Sequence, residues 1–368
     1  MTKAWIERIL FIVPRHVSIV DFFRTRLPSN SFVRPYAKCI VEDCRTLIRT
    51  PRDWTHFEEQ TPKTLYIETT NICNANCVFC AYQYQAGFRP GKGVMRDEVF
   101  EKALQEYKQM PPTPSGKKQI NFTPLVGEPL VDPKIIERSR RAKELGFGVT
   151  FFSNGILLNK IDLDALLEAN VETVVVSTAP FERQSHEMLY RTNGKYDELV
   201  EGLERLLRLR NQRNSPTQVS IMFRAHIDLK EILRQPDFQQ RILPHLRPGE
   251  VDGLYAQVGS FDTWGGQIKQ ADLPAGMKLA QAPRLKHRPC QWTFFLQVMY
   301  DGRVRACSCR FTGREQSNGE EDGLFVGDIR AQTLDEIWRG PAIKNLHRRY
   351  GRGDLPRVCQ SCTMYRSV

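Results

Sequence analysis

Short apolar and β-branched runs recur through the middle of the chain, and segments with helical spacing of apolar residues separate them. One such segment, "YDELVEGLERLLRLR", places Leu199, Leu203 and Leu206 on one face of a predicted helix. Apolar runs that alternate with helices predict a parallel sheet covered by helices. Six units of this kind predict either an open doubly wound sheet or part of a (β/α) barrel. The six runs are 64–70, 119–125, 148–155, 173–179, 218–226 and 253–259.

The two ends of the chain and one internal segment lack this alternation. Residues 1–60 combine apolar and basic residues with several prolines, which predicts short helices that either cover the main domain or lie on a membrane surface. Residues 263–289 lose the periodicity and gain Gly, Pro and Lys, which predicts a linker or a long loop over a site. Farther on, two apolar runs flank Asp301-Gly302 and predict a hairpin, and "TLDEIWRG" predicts a short helix. The predicted domains are a helical extension (1–60), an α/β domain (61–262), a linker (263–289) and a C-terminal domain (290–368).

The composition is that of an ordinary soluble globular protein, with 41% apolar and 26% charged residues. The formal net charge of +11 is compatible with an anionic partner, but the basic residues are spread along the chain, which favours a solvated surface. Basic and aromatic residues are not interleaved, so we expect no nucleic-acid partner. We find no signal peptide and no apolar run long enough for a transmembrane segment, so we expect a cytoplasmic protein. Thiols stay reduced in that compartment, where clustered cysteines more often bind metal.

The stretch "ETTNICNANCVFCAY" (68–82) contains Cys73, Cys77 and Cys80 directly after the first predicted strand. A closed tetrahedral metal site needs four ligands and a disulfide needs two, so three cysteines leave a position open. Cysteine thiolates hold iron–sulfur clusters, normally one per iron in a four-iron cluster. Three would hold three irons and leave the fourth free to bind a small molecule. A zinc site with a remote fourth ligand is the alternative.

The spacing C-x3-C-x2-C, with Phe79 before the last cysteine, resembles the signature of the radical S-adenosylmethionine enzymes. "LVGEPLVDP" after the second predicted strand resembles the family's Gly-Glu-Pro motif, although Val126 replaces its usual first glycine. "SNG" after the third strand, "VVVSTAP" at the fourth and "HEMLYRTNGKYDELVEGL" beyond it are also similar to family segments. These segments lie within residues 64 to about 260 and occur in the same order as in the family. The resemblance implies an α/β fold built on a partial (β/α)6 TIM-like barrel.

The resemblance also implies cofactors and roles for particular residues. Cys73, Cys77 and Cys80 would bind a [4Fe-4S] cluster whose fourth iron chelates the amine and carboxylate of S-adenosylmethionine. One electron from this cluster would cleave the cofactor, and the resulting 5′-deoxyadenosyl radical would remove a hydrogen atom from a small-molecule substrate. A flavodoxin or ferredoxin would supply that electron. The predicted cofactor contacts are Gly127 for close backbone approach, Glu128 for the amine, Asn154 for the ribose, and Ser177 and Arg191 for the carboxylate.

Four further cysteines near the C-terminus form a second pattern. Eleven residues separate Cys290 from Gly302, four separate Gly302 from Cys307, and "RVCQSC" carries Cys359 and Cys362. This pattern and "GDIRAQTLDEIWRG" resemble the SPASM and twitch attachments of the same family. A full SPASM domain has more cysteines and binds two clusters, so the resemblance implies one auxiliary [4Fe-4S] cluster with no open iron. A zinc ion with the same four ligands is the alternative.

The resemblance implies an enzyme that oxidises or epimerises a small polar molecule, either sugar-like or another biosynthetic intermediate. The alternatives are maturation of a ribosomally synthesised peptide and a non-enzymatic iron–sulfur protein. Peptide maturases of this family often carry a leader-binding domain with three strands, and residues 1–60 show no such strands. The small-molecule interpretation is therefore preferred.

Three cysteines remain outside the two patterns. Cys309 lies two residues after Cys307, so their side chains would share one face of a strand. A catalytic thiol at Cys309 would return a hydrogen atom to a substrate radical and give epimerisation, whereas loss of an electron to the auxiliary cluster would give oxidation. The alternatives for Cys309 are a buried spare thiol or a ligand in place of Cys307. Cys39 and Cys44 are predicted to be buried free thiols of the helical extension.

Overall fold

The fold of the chain is given by a computed structural model, which describes residues 34–48, 54–87, 91–247, 252–308 and 323–368. All six predicted strands are present, and each pairs in parallel with the next. Parallel neighbours in strict chain order are the arrangement of a (β/α) barrel rather than of a doubly wound sheet. The strands are β1 (Thr64–Ile67), β2 (Gln119–Asn121), β3 (Gly148–Ser153), β4 (Thr173–Thr178), β5 (Gln218–Ala225) and β6 (Leu254–Val258).

The helices follow the apolar spacing of the sequence. In the helix Tyr196–Gln212, Leu199, Leu203 and Leu206 are fully buried, as their common face predicts. The α-helices are α1 (Arg34–Ile48), α2 (Thr55–Glu59), α3 (Asp97–Gln109), α4 (Ile135–Glu144), α5 (Leu163–Glu168), α6 (Arg183–Tyr190), α7 (Tyr196–Gln212), α8 (Leu229–Ile232), α9 (Leu334–Arg339), α10 (Pro341–Gly351) and α11 (Arg357–Gln360). Within the described ranges, no helix has the length and apolar character that crossing a bilayer requires.

The two faces of the sheet differ in chemistry because strand side chains alternate. On one face, Val174, Val176 and Ile221 are fully buried and form part of the main hydrophobic core. On the other face, Ser177 and Arg224 are only half-buried. The polar face therefore remains available for ligands at the carboxyl ends of the strands.

The C-terminal hairpin extends the barrel sheet instead of forming a sheet of its own. β9 (Leu296–Val298) pairs in parallel with β1, and β10 (Arg303–Arg305) and β11 (Phe325–Asp328) follow in antiparallel order. The result is one nine-stranded sheet. The predicted turn at Asp301-Gly302 is present, and Gly302 adopts a φ of +93°, which favours glycine. The predicted helix "TLDEIWRG" corresponds to α9, whose N-cap Thr333 forms a capping box with Glu336.

The predicted linker is mostly irregular but contributes one strand to a short ladder. β7 (Ser260–Phe261) pairs in parallel with β8 (Lys278–Leu279), and a single 3-10 turn covers Gln270–Asp272. The linker also contacts α1, because the Asp43 carboxylate accepts hydrogen bonds from the backbone amides of Arg284 (2.9 Å) and Leu285 (2.8 Å).

The helical prediction for residues 1–60 agrees with α1 and α2, whereas 1–33 and 49–53 lie outside the described residues. Cys39 is buried and its thiol donates to the carbonyl of Tyr36. The prediction of a buried thiol is wrong for Cys44, which is exposed. The reason is local: Cys44 lies on the same face of α1 as Tyr36 and Ile40, and this face points away from the barrel.

Candidate active site and auxiliary cysteine cluster

Cys73, Cys77 and Cys80 lie together on the loop that follows β1. All three are partly buried, and their thiols are close enough to interact electrostatically. Burial raises the pKa of Cys77 well above its ordinary value, and the charges of Cys80 and Cys73 raise it further. Bound iron would instead lower the pKa of the thiol, because a thiol that coordinates a metal is deprotonated. Three convergent thiols on one loop fit a four-iron cluster with one open position.

The end of helix α6 supports this loop. The backbone amides of Asn76 and Val78 donate to the carbonyls of Tyr190 (3.1 Å) and Leu189 (2.9 Å). These carbonyls belong to the last turn of α6, where no intrahelical donor is available. The loop between the cysteines is therefore part of a helix C-cap, which restrains the three thiols.

Glu128 is held beside the first cysteine by backbone donors. Its side chain is buried, and its oxygens accept hydrogen bonds from the amides of Leu130 (3.1 Å) and Asn154 (2.7 Å). Burial raises the pKa of the carboxyl to about 7, although the bond from Asn154 lowers it. Burial raises the pKa of Cys73, and the charge of the nearby Glu128 raises it further. Each carboxylate oxygen retains acceptor capacity for a cationic or amine ligand.

Gly127 allows a close approach between two loops. It has a φ of +143°, and a Cβ at this position would lie 2.8 Å from the carbonyl oxygen of Thr70. Any larger residue would push the Glu128 loop away from the cysteine loop. Val126, which departs from the family's motif, packs in a small buried cluster with Tyr82 and Met299.

Asn154 contacts the cysteine loop through its side chain. Its amide nitrogen donates to the Asn74 side-chain oxygen at 2.7 Å and lies 3.9 Å from the Cys73 sulfur. Its side-chain oxygen accepts from the amide of Ile156. The structure thus brings Asn154 to the cysteine loop, and its predicted ribose contact remains a prediction.

Ser177 and Arg191 occupy different surroundings. Arg191 adopts a left-handed conformation (φ +50°) after α6, is exposed, and donates to the side-chain oxygen of Gln83 at 3.0 Å. The hydroxyl of Ser177, at the end of β4, lies 3.4 Å from the hydroxyl of Tyr190 and 3.4 Å from Nε of Arg224. Arg191 therefore contacts the segment after Cys80, and the arginine that lies beside Ser177 is Arg224.

Arg224 is a functional candidate that sequence reasoning missed. It lies near the end of β5 and donates to the side chain of Gln257 on β6, and its charge offsets a small part of the rise that burial causes in the pKa of Cys77. Its guanidinium is suited to a carboxylate of the cofactor or of a substrate. The available signal was a single arginine in the apolar run "QVSIMFRAH", at a position that alternation places on the polar face.

The four C-terminal cysteines surround one cavity. Cys290, Cys307, Cys359 and Cys362 are all buried, and they line this cavity together with apolar and aromatic side chains. Burial, together with the charges of Cys307 and Cys362, raises the pKa of Cys290 to about 12. Four thiols in a lining that is mostly apolar and aromatic, and that also includes Thr293, fit a fully ligated four-iron cluster. Over the part of the chain that the structure describes, no three His, Cys, Asp or Glu side chains are grouped to hold a single metal ion.

The segment 262–266 contacts both cysteine sites. The indole N–H of Trp264 donates to the carbonyl of Phe79 at 2.9 Å. The hydroxyl of Thr263 donates to the carbonyl of Ser361 at 3.0 Å. A Cβ on Gly265 would lie 2.6 Å from a Val358 methyl, so glycine is needed for this close packing. We refer to 262–266 as the brace.

Cys309 lies in the range 309–322, outside the described residues. Its predicted role as a hydrogen-atom donor therefore remains a prediction.

Comparison with protein families agrees with this geometry. The sequence matches the Radical SAM superfamily over residues 67–224 and SPASM, an iron–sulfur cluster-binding domain, over residues 290–363. The chain belongs to the radical SAM superfamily and carries a C-terminal SPASM domain. Its cofactors are S-adenosylmethionine, a cluster that binds it, and an auxiliary iron–sulfur cluster.

Individual relatives cover most of the chain. It is 33% identical over 304 residues to the tungsten-containing aldehyde ferredoxin oxidoreductase cofactor-modifying protein of Pyrococcus furiosus. This match covers 75% of this chain and 80% of the relative. It is 22% identical over 326 residues to PqqA peptide cyclase of Gluconobacter oxydans, covering 82% of each. Its fold is similar to a crystal structure of BtrN in complex with AdoMet and 2-DOIA (TM-score 0.50, 15% identity, 82% of this chain and 92% of that one).

Proposed function

We propose that this enzyme oxidises a small polar biosynthetic intermediate by removing a hydrogen atom and then one electron. The observation that carries the proposal is the complete four-thiol set of the auxiliary site. Such a set leaves no iron open for substrate, which favours a role in electron transfer. The brace (262–266) contacts both cysteine loops and so links the two sites, which supports an electron-transfer role for the auxiliary site.

The chain's own residues would bind and orient the reactants. When bound, S-adenosylmethionine and the first cluster supply a 5′-deoxyadenosyl radical, and the auxiliary cluster supplies an electron acceptor. Buried Glu128 is oriented by two backbone amides toward the side of Cys73, where it would accept a hydrogen bond from the amine. Asn154 would contact the ribose, and Ser177 with Arg191 would bind the carboxylate.

Arg224 and Gln257 would hold the substrate. Both project from the carboxyl ends of strands on the polar face of the sheet, which is where barrel enzymes bind substrates. A guanidinium and an amide side by side favour a polar or anionic group over an apolar one. The electron balance is complete: the substrate loses a hydrogen atom to the radical, one electron to the acceptor and one proton to solvent.

The substrate class rests on one observation. The relative from Pyrococcus furiosus is named for modifying a cofactor, which is a small molecule. A peptide is the second candidate, because the relative from Gluconobacter oxydans is named a peptide cyclase.

The reaction is tested with anaerobically reconstituted, reduced enzyme. Deuterium-labelled metabolite pools and deuterium-labelled peptide pools are supplied separately, and 5′-deoxyadenosine is analysed for deuterium by mass spectrometry. We expect transfer from the metabolites and a product oxidised by two electrons. Transfer only from the peptides would contradict the small-molecule proposal. In a parallel reaction with unlabelled substrates in deuterated water, an unoxidised product that carries solvent deuterium would indicate epimerisation, with Cys309 as the candidate donor.

A further inference from the structure

Lys286 is a buried lysine at the auxiliary cysteine site. Only 4% of it is exposed. Its ammonium donates to three backbone carbonyls, those of Cys359 (2.7 Å), Gln360 (2.8 Å) and Cys362 (3.3 Å). An ammonium has three hydrogens, so one tight turn can satisfy all of them. The lysine is therefore fixed against the "CQSC" turn that carries two of the four cysteines.

The charge of Lys286 faces the thiols. Its nitrogen lies 5.7 Å from the centre of the Tyr365 ring, and Tyr365 lines the same cavity as the four cysteines. The ammonium also interacts electrostatically with the side chains of Cys362, Cys359 and Cys290 and, more weakly, with the carboxylate of Asp43. A buried cation is costly unless negative charge compensates it. Here the nearest compensation comes from the cysteine site itself.

Helix α1 holds the lysine in place. Asp43 accepts hydrogen bonds from the amides of Arg284 and Leu285, the two residues before Lys286. On the other side, the hydroxyl of Tyr365 donates to the carbonyl of Arg288 at 2.9 Å. The backbone around Lys286 is thus restrained from both directions, so its ammonium stays at the turn.

We propose that Lys286 is a positioning cation that raises the reduction potential of the auxiliary cluster. A cluster bound by four thiolates becomes more negative on reduction, and a fixed positive charge in a low-dielectric site stabilises the reduced form. This makes the cluster a better acceptor for an electron that leaves the substrate. The inference rests on the proposed electron-accepting role of that cluster.

The test is a redox titration of the holoenzyme followed by electron paramagnetic resonance. Addition of S-adenosylmethionine perturbs only the cluster with an open iron and so separates the two signals. The variants are Lys286→Gln, which removes the charge, and Lys286→Arg, which keeps it. The matched control is Lys269→Gln, because Lys269 belongs to the same linker, also donates to a backbone carbonyl, and is exposed.

We expect the ratio of reduced to oxidised auxiliary cluster at a fixed potential to fall about tenfold in Lys286→Gln, which is about 59 mV for a one-electron couple. Lys286→Arg and Lys269→Gln should stay close to the wild type. An unchanged auxiliary potential in Lys286→Gln with full iron content would overturn the proposal. Loss of the auxiliary irons from that variant would also overturn it, because the lysine would then be structural. A wild-type protein with only the first cluster's signal would instead contradict the assignment of the four cysteines.

Discussion

Trp264 donates an indole hydrogen bond to the carbonyl of Phe79, and this bond links the linker to the loop of the first cluster. Phe79 stands between Cys77 and Cys80, and its ring also stacks on Phe261, just before the brace. The neighbouring Thr263 bonds to Ser361, which stands between the two cysteines of the "CQSC" turn. Two cysteine loops that are remote in sequence therefore share one support, which sets the relative position of their clusters.

Replacement of Trp264 by Phe tests this support. The variant keeps an aromatic ring but loses the hydrogen bond to Phe79, which we expect to cost about 1 kcal/mol of unfolding free energy. Loss of iron from the first cluster under mild chelation should become faster. Trp292→Phe is the control, because Trp292 makes a similar bond to the carbonyl of Met364 in the C-terminal domain. Equal iron loss in both variants would contradict a specific role for Trp264.

Replacement of Cys77 by Ala should abolish cleavage of S-adenosylmethionine and leave about four irons per chain in the auxiliary site. The physical reason is that one iron of the first cluster loses its protein ligand. Iron content and formation of 5′-deoxyadenosine are the measurements. Cys44→Ala is the matched control, because Cys44 is exposed on α1 and should retain both properties. Wild-type rates of 5′-deoxyadenosine formation in Cys77→Ala would refute the assignment.

Replacement of Cys362 by Ala should remove about four irons and lower the thermal unfolding midpoint, because the four ligands close the C-terminal domain. Cleavage of S-adenosylmethionine should partly survive, since it requires only the first cluster. Iron analysis and calorimetry under anaerobic conditions are the measurements. Retention of the full iron content would show that Cys362 is not a ligand.

Glu128→Gln should weaken binding of S-adenosylmethionine about tenfold or more at pH 8, because a charge-assisted hydrogen bond to the amine is lost. The wild-type carboxyl has a pKa raised to about 7 by burial, so it is neutral below that pH and ionised above it. The ratio of the two dissociation constants should therefore grow between pH 6 and pH 8. Titration of the amine of S-adenosylmethionine affects the wild type and Glu128→Gln alike, so it cancels in the ratio of their dissociation constants.

The raised pKa of Glu128 should also make the cofactor-free protein less stable as the pH rises, whereas it makes cofactor binding tighter. A carboxyl whose folded pKa is raised contributes stability below its unfolded pKa and loses that contribution as the pH rises through about 7. Glu137→Gln is the control for both measurements, since Glu137 is exposed on α4. A dissociation-constant ratio that does not depend on pH would argue against ionised Glu128 as the amine ligand.

Turnover driven by an acidic flavodoxin or ferredoxin should slow as ionic strength rises, because the formal net charge of the protein is +11. Screening shortens the range of attraction between the two proteins and lowers their association rate. Turnover with a small chemical reductant at the same salt concentrations is the control and should change much less. Parallel salt dependence with both reductants would contradict steering of a protein donor.

Local pattern alone was enough to predict the six barrel strands, several of the helices and the two cysteine motifs. Alternation of apolar residues depends on near neighbours, so β4 and α7 follow directly from their sequences. Cys73, Cys77 and Cys80 converge because they lie within one short loop after a strand. The hairpin at Asp301-Gly302 was equally predictable, since its turn residues determine it.

Tertiary structure alone decided which distant residues meet. β9 joins the barrel beside β1, Arg224 lies beside Ser177, and Trp264 contacts Phe79. Lys286 belongs to the segment predicted as a linker or a long loop over a site, and it is buried against the auxiliary cysteines. None of these contacts leaves a periodic trace in the sequence, because they form between segments that pack only after each has folded locally. The motifs therefore determined the kind of chemistry, whereas packing determined which side chains surround the clusters.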